Sequence, residues 1–464
     1  MSQTTQKSVT TKNILINIHS HHSTRPQSPN VFPVDLMVIK DFFIYSFGSL
    51  LLKGSHYLVM PLIAFKLTTQ EFGLLALINN FITIVTIFLG LGLRQVVSIE
   101  FFHHNSEEQK NLINEVITLY LVFATPCLLL MIIFLPSIKN FCFTPQTSTL
   151  VLMIALITCF MSFFNELFLQ VLRYKSQSWL LTKIQLYAAL ISTTLKLFFL
   201  YVYSWTIVGI LGGNFSGLCV IGSYGLYHYC KKMPFLKRDI LFQKAKIVHY
   251  LKCGLPFIPS VLFSWVLASS DRWVLAQYTD LHHVGLYSFV DTFSQLFQLF
   301  ILYPLIGAYF PHIIKQFVAR PDDAQAIESK NRKIMGLIMC GSLFVTVLGY
   351  LIGKPLLAFS TPTKYHASLT YTVPLLLGQI LLMGTNFLTC YIQYLKKIHY
   401  IVGLICIPAT INIVLNLILV PSFKISGCVA ATVVAYFCYF IFTWLAGSYL
   451  MKRELAKNNL FKHV

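Results

Sequence analysis

The chain has 464 residues, of which 56% are hydrophobic and only 11% charged, with a formal net charge of +19. A soluble domain carries about 25% charged residues, so too few polar side chains are present to clothe a water-facing surface, and a soluble enzyme is excluded. The excess of base would suit a polyanion, but its placement along the chain, described below, argues against nucleic acid as the partner.

The first 34 residues are polar and rich in Ser, Thr and His. Their longest apolar run, Ile14-Leu15-Ile16, falls short of the 7–15 residues, roughly, of a signal-peptide core. A disordered tail is expected, with the first membrane helix acting as an uncleaved insertion signal. His19, His21 and His22 have no acidic partner nearby, and no metal site is expected there. The 11 cysteines are scattered singly, without a Cys-x-x-Cys pair. They read as small apolar packing residues rather than a disulfide framework or zinc site.

A spanning helix needs about 20 mainly apolar residues. Stretches of that kind fall at 42–65, 72–97, 112–135, 149–171, 180–203, 206–229, 254–277, 284–311, 334–353, 370–393, 400–420 and 427–449. The expected fold is therefore an all-α polytopic membrane protein of about twelve helices. Alternating the intervening loops between two sides puts 27 of the 35 Lys and Arg residues on one side and five on the other, with Lys53, Lys196 and Arg272 inside spans. By the positive-inside rule both termini are cytoplasmic, and the basic balance is topological. The expected organisation is a cytoplasmic tail at 1–39, a six-helix bundle at 40–230, a basic cytoplasmic linker at 231–252, a second bundle at 253–450 and a cytoplasmic tail at 451–464.

The halves repeat. A shift of 212 residues places Ala64 to Leu74 on Ala276 to Leu286, each a turn closing on a Gly-Leu that opens the next helix. The same shift puts Asn79 on Asp291, Thr83 on Gln295 and Thr86 on Gln298. A second match, at a different offset, pairs Ile207-Val208-Gly209 with Ile425-Ser426-Gly427. Six helices per repeat is an even number, so the repeats are parallel and related by an axis along the membrane normal, leaving a cleft between two bundles.

A charged side chain at the centre of a span costs about 2.5–3.5 kcal/mol or more and demands a partner or a hydrated cavity. The first helix carries Ser49, Lys53 and His56 on one face; the seventh carries Ser260, Ser264 and the adjacent Asp271-Arg272; the eighth carries Ser288, Asp291, Thr292, Gln295 and Gln298. Asn79, Asn165, Glu166, Gln185, Lys196, Gln379, Asn386, Asn412 and Asn416 add to these. The uncharged stripes serve equally as interhelical glue, Asp271-Arg272 as an interfacial ion pair, and Glu166 and Lys196 as snorkelling side chains. Asp322-Asp323 reads as part of a solvated loop. No Gly-rich phosphate loop, nucleophile elbow or His-Glu-x-x-His occurs, so neither an enzyme nor a cofactor is expected.

Phe257-Ile258-Pro259-Ser260, the run Ser269 to Leu275 and Val284-Gly285-Leu286-Tyr287-Ser288, with the Glu71-Phe72-Gly73 turn, resemble bacterial polysaccharide flippases. These are the O-antigen and capsule branch of the multidrug/oligosaccharidyl-lipid/polysaccharide exporter superfamily. The resemblance implies a transporter of the bacterial inner membrane that moves an undecaprenyl-diphosphate-linked oligosaccharide between leaflets. It would work by alternating access with Na⁺ or H⁺ coupling, beside polysaccharide-assembly proteins. Lys53, Lys196 and Arg272 would face the diphosphate. Asp271 and Asp291 would carry coupling, and Asn79, Gln295 and His56 would line the cavity. The alternatives are a cation-coupled multidrug antiporter of the same superfamily and a polytopic glycosyltransferase or polymerase. The latter generally needs a larger external loop than any here.

Overall fold

The computed structural model describes residue 54 and residues 59–144, 146–230, 243–395 and 397–462. The tail 1–39, most of the first span with Lys53 and His56, and residues 231–242 of the basic linker lie outside the described residues. Among the described residues every regular element is helical. The N-terminal half contains residues 59–66, followed by α1 (Thr69–Gly90), α2 (Leu93–Glu100), α3 (Ser106–Ile133), α4 (Leu135–Cys142), α5 (Thr149–Tyr174), α6 (Ser178–Tyr201) and α7 (Ile207–Cys230). The C-terminal half contains α8 (Lys244–Gly254), α9 (Phe257–Ser269), α10 (Asp271–Tyr278), α11 (Leu281–Phe297), α12 (Tyr303–Ala319), α13 (Ala324–Ser360), α14 (Thr372–Tyr394) and α15 (Ile398–Lys462).

Nine stretches of described helix are long and apolar enough to cross a membrane. One of them lies in α15, where non-helical backbone at Lys424 (φ 50°, ψ −124°) joins two spans. The stretch 281–319 adds another, interrupted by a π-helical turn at Gln298–Leu302. Pro304 follows that turn; its missing N–H and fixed φ explain why the ladder changes register there. With these, the described helices supply the second to the twelfth of the expected spans. The seventh is divided at Ser270, whose hydroxyl and N–H both donate to the Val266 carbonyl, at 2.7 and 3.2 Å, a back-bonding that bends helices. The ninth, α13, runs well beyond the expected 334–353.

Local chemistry sets the helix starts. Thr68 and Glu71 form a capping box at α1, with the Glu71 N–H donating to Thr68 Oγ1 and the Thr68 N–H to Glu71 Oε2 at 2.8 Å. Asn105 and Glu108 repeat the device at α3. Asp280 caps α11 by accepting from the His283 N–H at 2.9 Å. Each cap satisfies donors that a helix end leaves unpaired.

The end of the bundle holding Gly90, Ser106, Tyr174 and Lys244 is the basic face, and the end holding Thr69, Tyr201, Leu281 and Thr363 the opposite face. At the opposite face the halves meet tightly. The backbones of Gly73 and Gly285 approach so closely that a Cβ on Gly73 would overlap the Leu281 carbonyl, and one on Gly285 the Thr69 carbonyl. Thr69 Oγ1 pairs with His282 Nδ1 at 2.6 Å. Phe289 stacks on Tyr365 at 4.1 Å, and Phe72 meets both edge-on. Lys364 Nζ donates to the Leu67 carbonyl at 2.5 Å. The larger apolar core consequently runs from α1, α3 and α5 into α11, while a second core fills the C-terminal half around Phe317, Phe387 and Tyr439.

Candidate functional site

A cavity of about 340 Å³ lies between the halves. From the N-terminal half it is lined by Met60, Ile63, Ile210 and the α1 residues Phe72, Leu75, Ala76, Asn79 and Asn80; from the C-terminal half by Ser269, Arg272, Ser288, Thr292 and Gln295. The two sides differ in character. The N-terminal wall is apolar with two amides, and the charge sits on the C-terminal wall. Asn80 Nδ2 donates across the gap to the Ser269 carbonyl at 3.3 Å.

The charge is organised by Arg272. Its exposure is 5%, and those of Asp271 and Asp291 are 2% and 6%. The guanidinium pairs with Asp291 through Nη2 and with Asp271 through Nη1 at 3.3 Å, and also donates to the Ala268 carbonyl. Asp271 additionally accepts from the Arg272 N–H at 2.8 Å and from the Tyr287 hydroxyl. Asp291 accepts from Gln295 Nε2 at 2.7 Å and from the Ser294 hydroxyl at 3.0 Å. One guanidinium therefore faces two buried carboxylates. Ionised, the trio carries a net charge of −1, and every member is held by further hydrogen bonds, the condition under which a buried ion pair is tolerated. Ser288, on the cavity wall, presents a buried hydroxyl without a hydrogen-bond partner among the described residues.

The structure brings together Asp271, Arg272, Asp291, Asn79 and Gln295 from the expected site. Lys196 stands apart. It is 3% exposed, packed between α6 and α7 against Gly213, and not among the cavity-lining residues; it does not snorkel. Glu166 does not snorkel freely either, because Arg94 forms an ion pair with it. Lys53 and His56 fall outside the described residues. Tyr287, Ser294 and Asn80 escaped the sequence reading. Tyr287 and Ser294 lie four residues before and three after Asp291, a spacing that places them near that carboxylate on a helix.

The basic face holds a second junction. Glu115 of α3, side chain 8% exposed, accepts from Lys246 Nζ at 2.5 Å and from the Tyr250 hydroxyl at 2.6 Å, both on α8. Glu100 of α2 pairs with His249 at 2.5 Å. Gly92, at φ +67°, lies against Gly254 so closely that a Cβ would overlap its carbonyl. No sequence period pointed to these pairs, because their members lie more than 130 residues apart. The halves thus touch at both ends of the cavity.

The profile of a family described as polysaccharide biosynthesis protein matches residues 38–317. No curated protein matches the chain. Among solved structures, the inward-facing conformation of a multidrug resistance MATE family transporter of the MOP superfamily superposes with a TM-score of 0.70 at 13% identity, covering 90% of this chain and 98% of that one. Lipid II flippase MurJ in an inward closed conformation gives 0.66 at 13% identity, covering 89% and 86%. The Vibrio cholerae MATE transporter VcmN gives 0.63 at 14% identity, covering 90% and 97%. At such identities the likeness is one of fold: the multi-pass, all-α architecture expected from the sequence.

Proposed function

The chain belongs to the polysaccharide biosynthesis protein family, and on that premise we propose that it is a flippase moving a lipid-diphosphate-linked oligosaccharide between membrane leaflets by alternating access. The lipid carrier is undecaprenyl diphosphate, the membrane is the bacterial inner membrane with both termini cytoplasmic, and the product feeds cell-surface polysaccharide assembly. One observation carries the reading beyond the family: a guanidinium, the side chain best shaped for phosphate oxygens, lines a cavity between two pseudo-repeated halves.

The geometry supports a charge-exchange cycle. Arg272 is occupied by Asp291 and Asp271, so a diphosphate reaches it only by displacing a carboxylate. A proton or Na⁺ taken by Asp291 removes that competitor and frees Nη2 of the guanidinium for phosphate while Nη1 stays on Asp271; loss of the cation returns Nη2 to Asp291 and expels the substrate. Coupling and substrate binding then share one arginine. A cavity of about 340 Å³ is at the small end of ligand pockets, which run to about 1,000 Å³. An oligosaccharide therefore enters only as the halves separate. Opening breaks the Glu115 and Glu100 junctions at the basic face, or the Gly73–Gly285 contact at the other.

A cation-coupled drug antiporter is the second reading, favoured by the net negative charge of the Asp271–Arg272–Asp291 trio. Reconstitution in liposomes separates the two. Translocation of a fluorescent lipid-diphosphate sugar, reduced at least tenfold by Arg272→Ala, supports the flippase. Extrusion of organic cations with no movement of the lipid overturns it in favour of the antiporter.

A further inference from the structure

At the basic face two pairs of metal-ligating side chains, each spaced i,i+4 on its segment, meet from opposite halves: Glu100 with His104, and His249 with Cys253. We propose that Glu100, His249 and Cys253 form an interlobe binding site for a zinc-class divalent cation, with water completing the coordination. The site is separate from the cavity and stands whichever substrate the cavity carries.

The geometry is close to what zinc requires. The ligand atoms of Glu100, His249 and Cys253 all lie within 4.8 Å of one another. His249 Nε2 is 2.5 Å from Glu100 Oε1 and 3.9 Å from Cys253 Sγ, and His104 Nε2 is 3.5 Å from Glu100 Oε2. Ligand atoms around a tetrahedral zinc ion stand roughly 3.3–3.8 Å apart. The Cys253–His249 separation already falls near that range, the Glu100–His249 pair needs to widen by about 1 Å to admit the ion, and His104 stays on the other Glu100 oxygen and on Glu108. The donor set is one thiolate, imidazole nitrogen and one carboxylate, the mixture zinc takes. Cys253 is a free thiol. Glu100 is largely buried, with its side chain 16% exposed, whereas His249 is 58% exposed, so the ion has an open approach.

Charge balances on binding. The Cys253 thiol releases its proton to solvent, and His249 binds as neutral imidazole through Nε2, so any proton that nitrogen carries in the Glu100 pair is also released. Lys246 on the same helix is paired with Glu115, so its ammonium is engaged elsewhere. No sequence pattern announces the site because its halves lie 149 residues apart. Its consequence is mechanical. A bound ion ties α2 to α8, so the basic face cannot part while it remains, and the metal arrests the transport cycle with that face shut.

The test uses full-length protein in detergent with His19, His21 and His22 changed to Asn, so that the tail contributes no ligand. Zinc is titrated against a chromophoric chelator, and cobalt(II) is added separately to report thiolate coordination by its charge-transfer absorption. Expected are one tightly held ion per chain, a thiolate–cobalt band that Cys253→Ser abolishes, and at least tenfold weaker zinc binding in His249→Asn and Glu100→Gln. Zinc should also slow alkylation of Cys253, read by mass spectrometry of its peptide, which checks the site without any substitution. Equal affinity in all three variants, or alkylation of Cys253 unaffected by zinc, overturns the proposal.

Discussion

Gly73 and Gly285 hold the two halves together at the opposite face, each set so close to the other's helix that a single methyl group on either would overlap a backbone carbonyl. They are also equivalents under the 212-residue repeat. The close approach is therefore built on the pseudo-symmetry itself, with a glycine contributed by each half.

Backbone is the obstacle at this crossing, so alanine at either position forces α1 and α11 apart. Overpacking of this kind costs about 1–3 kcal/mol, and here the strain falls on one conformational state. Gly73→Ala is expected to populate states open at the opposite face. The check is the alkylation rate of Asn79→Cys, in a background without the native cysteines. A faster rate in the Gly73→Ala variant is expected, and an unchanged rate would show that the contact does not gate access.

Arg272→Ala leaves Asp271 and Asp291 buried without their cation. Breaking a buried pair from one side costs about 3–5 kcal/mol, and a lower Tm in detergent should report it. Asp291→Asn is expected to lose far less. Ser294 can still donate to the amide oxygen, Gln295 can still pair with the amide, and Arg272 keeps Asp271. If the two variants melt alike, Arg272 is not the centre of the cluster.

Glu115 closes the basic face by receiving Lys246 and Tyr250. Glu115→Gln keeps the shape but removes the charge, so α8 should detach more often from α3. Native Cys253, on that helix, is a built-in reporter. Its alkylation should quicken several-fold in Glu115→Gln, while Lys110→Met, which removes only an exposed helix-surface pair to Glu107, should leave it unaltered.

Asp280 gives the opposite face a measurable response to acid. Burial works to raise its carboxyl, but hydrogen bonds from the His283 N–H and ring, with the charge of that imidazole, outweigh it and hold the group below the ordinary carboxylate value. A carboxylate lowered in the folded state stabilises it fully above its unfolded value of about 4. That contribution is lost as pH falls through the lowered folded value. Thermal unfolding between pH 7 and 3 should therefore show a smaller acid-induced drop in Asp280→Asn than in the unaltered protein. An equal drop would show that Asp280 does not contribute to the acid response.

The helix content was legible because the bilayer imposes it. Runs of about 20 apolar residues have one hydrogen-bonded solution in hydrocarbon, and breaks such as Pro304 and Lys424 moved boundaries without altering the order of spans. The Gly-Leu repeat was legible as well, but not that its two glycines form the contact between halves. Arg272, Asp271 and Asp291 stood out because charge inside an apolar run is rare and costly. Who pairs with whom was not legible. Asp271 next to Arg272 reads equally as an interfacial pair, and only the folded chain sets the guanidinium between two carboxylates. Lys196 illustrates the converse: its rarity in a span marked it as a cavity cation, yet α6 and α7 enclose it away from the cavity. The junctions of Glu100 and Glu115 with α8 were invisible: Glu100 ends α2, where charge looks like an ordinary solvated position, and the partners of Glu115, inside the expected 112–135 span, lie more than 130 residues away.

Cross-linking at the opposite face, followed by transport, tests alternating access most directly. Thr69 and His282, paired at 2.6 Å across the two halves, are both changed to Cys in a background without the native cysteines. They are then joined by a short, reducible bifunctional thiol reagent. Translocation of a lipid-diphosphate sugar in proteoliposomes should stop when the link forms and return when it is reduced. Undiminished translocation with the link complete would contradict a cycle that opens this face.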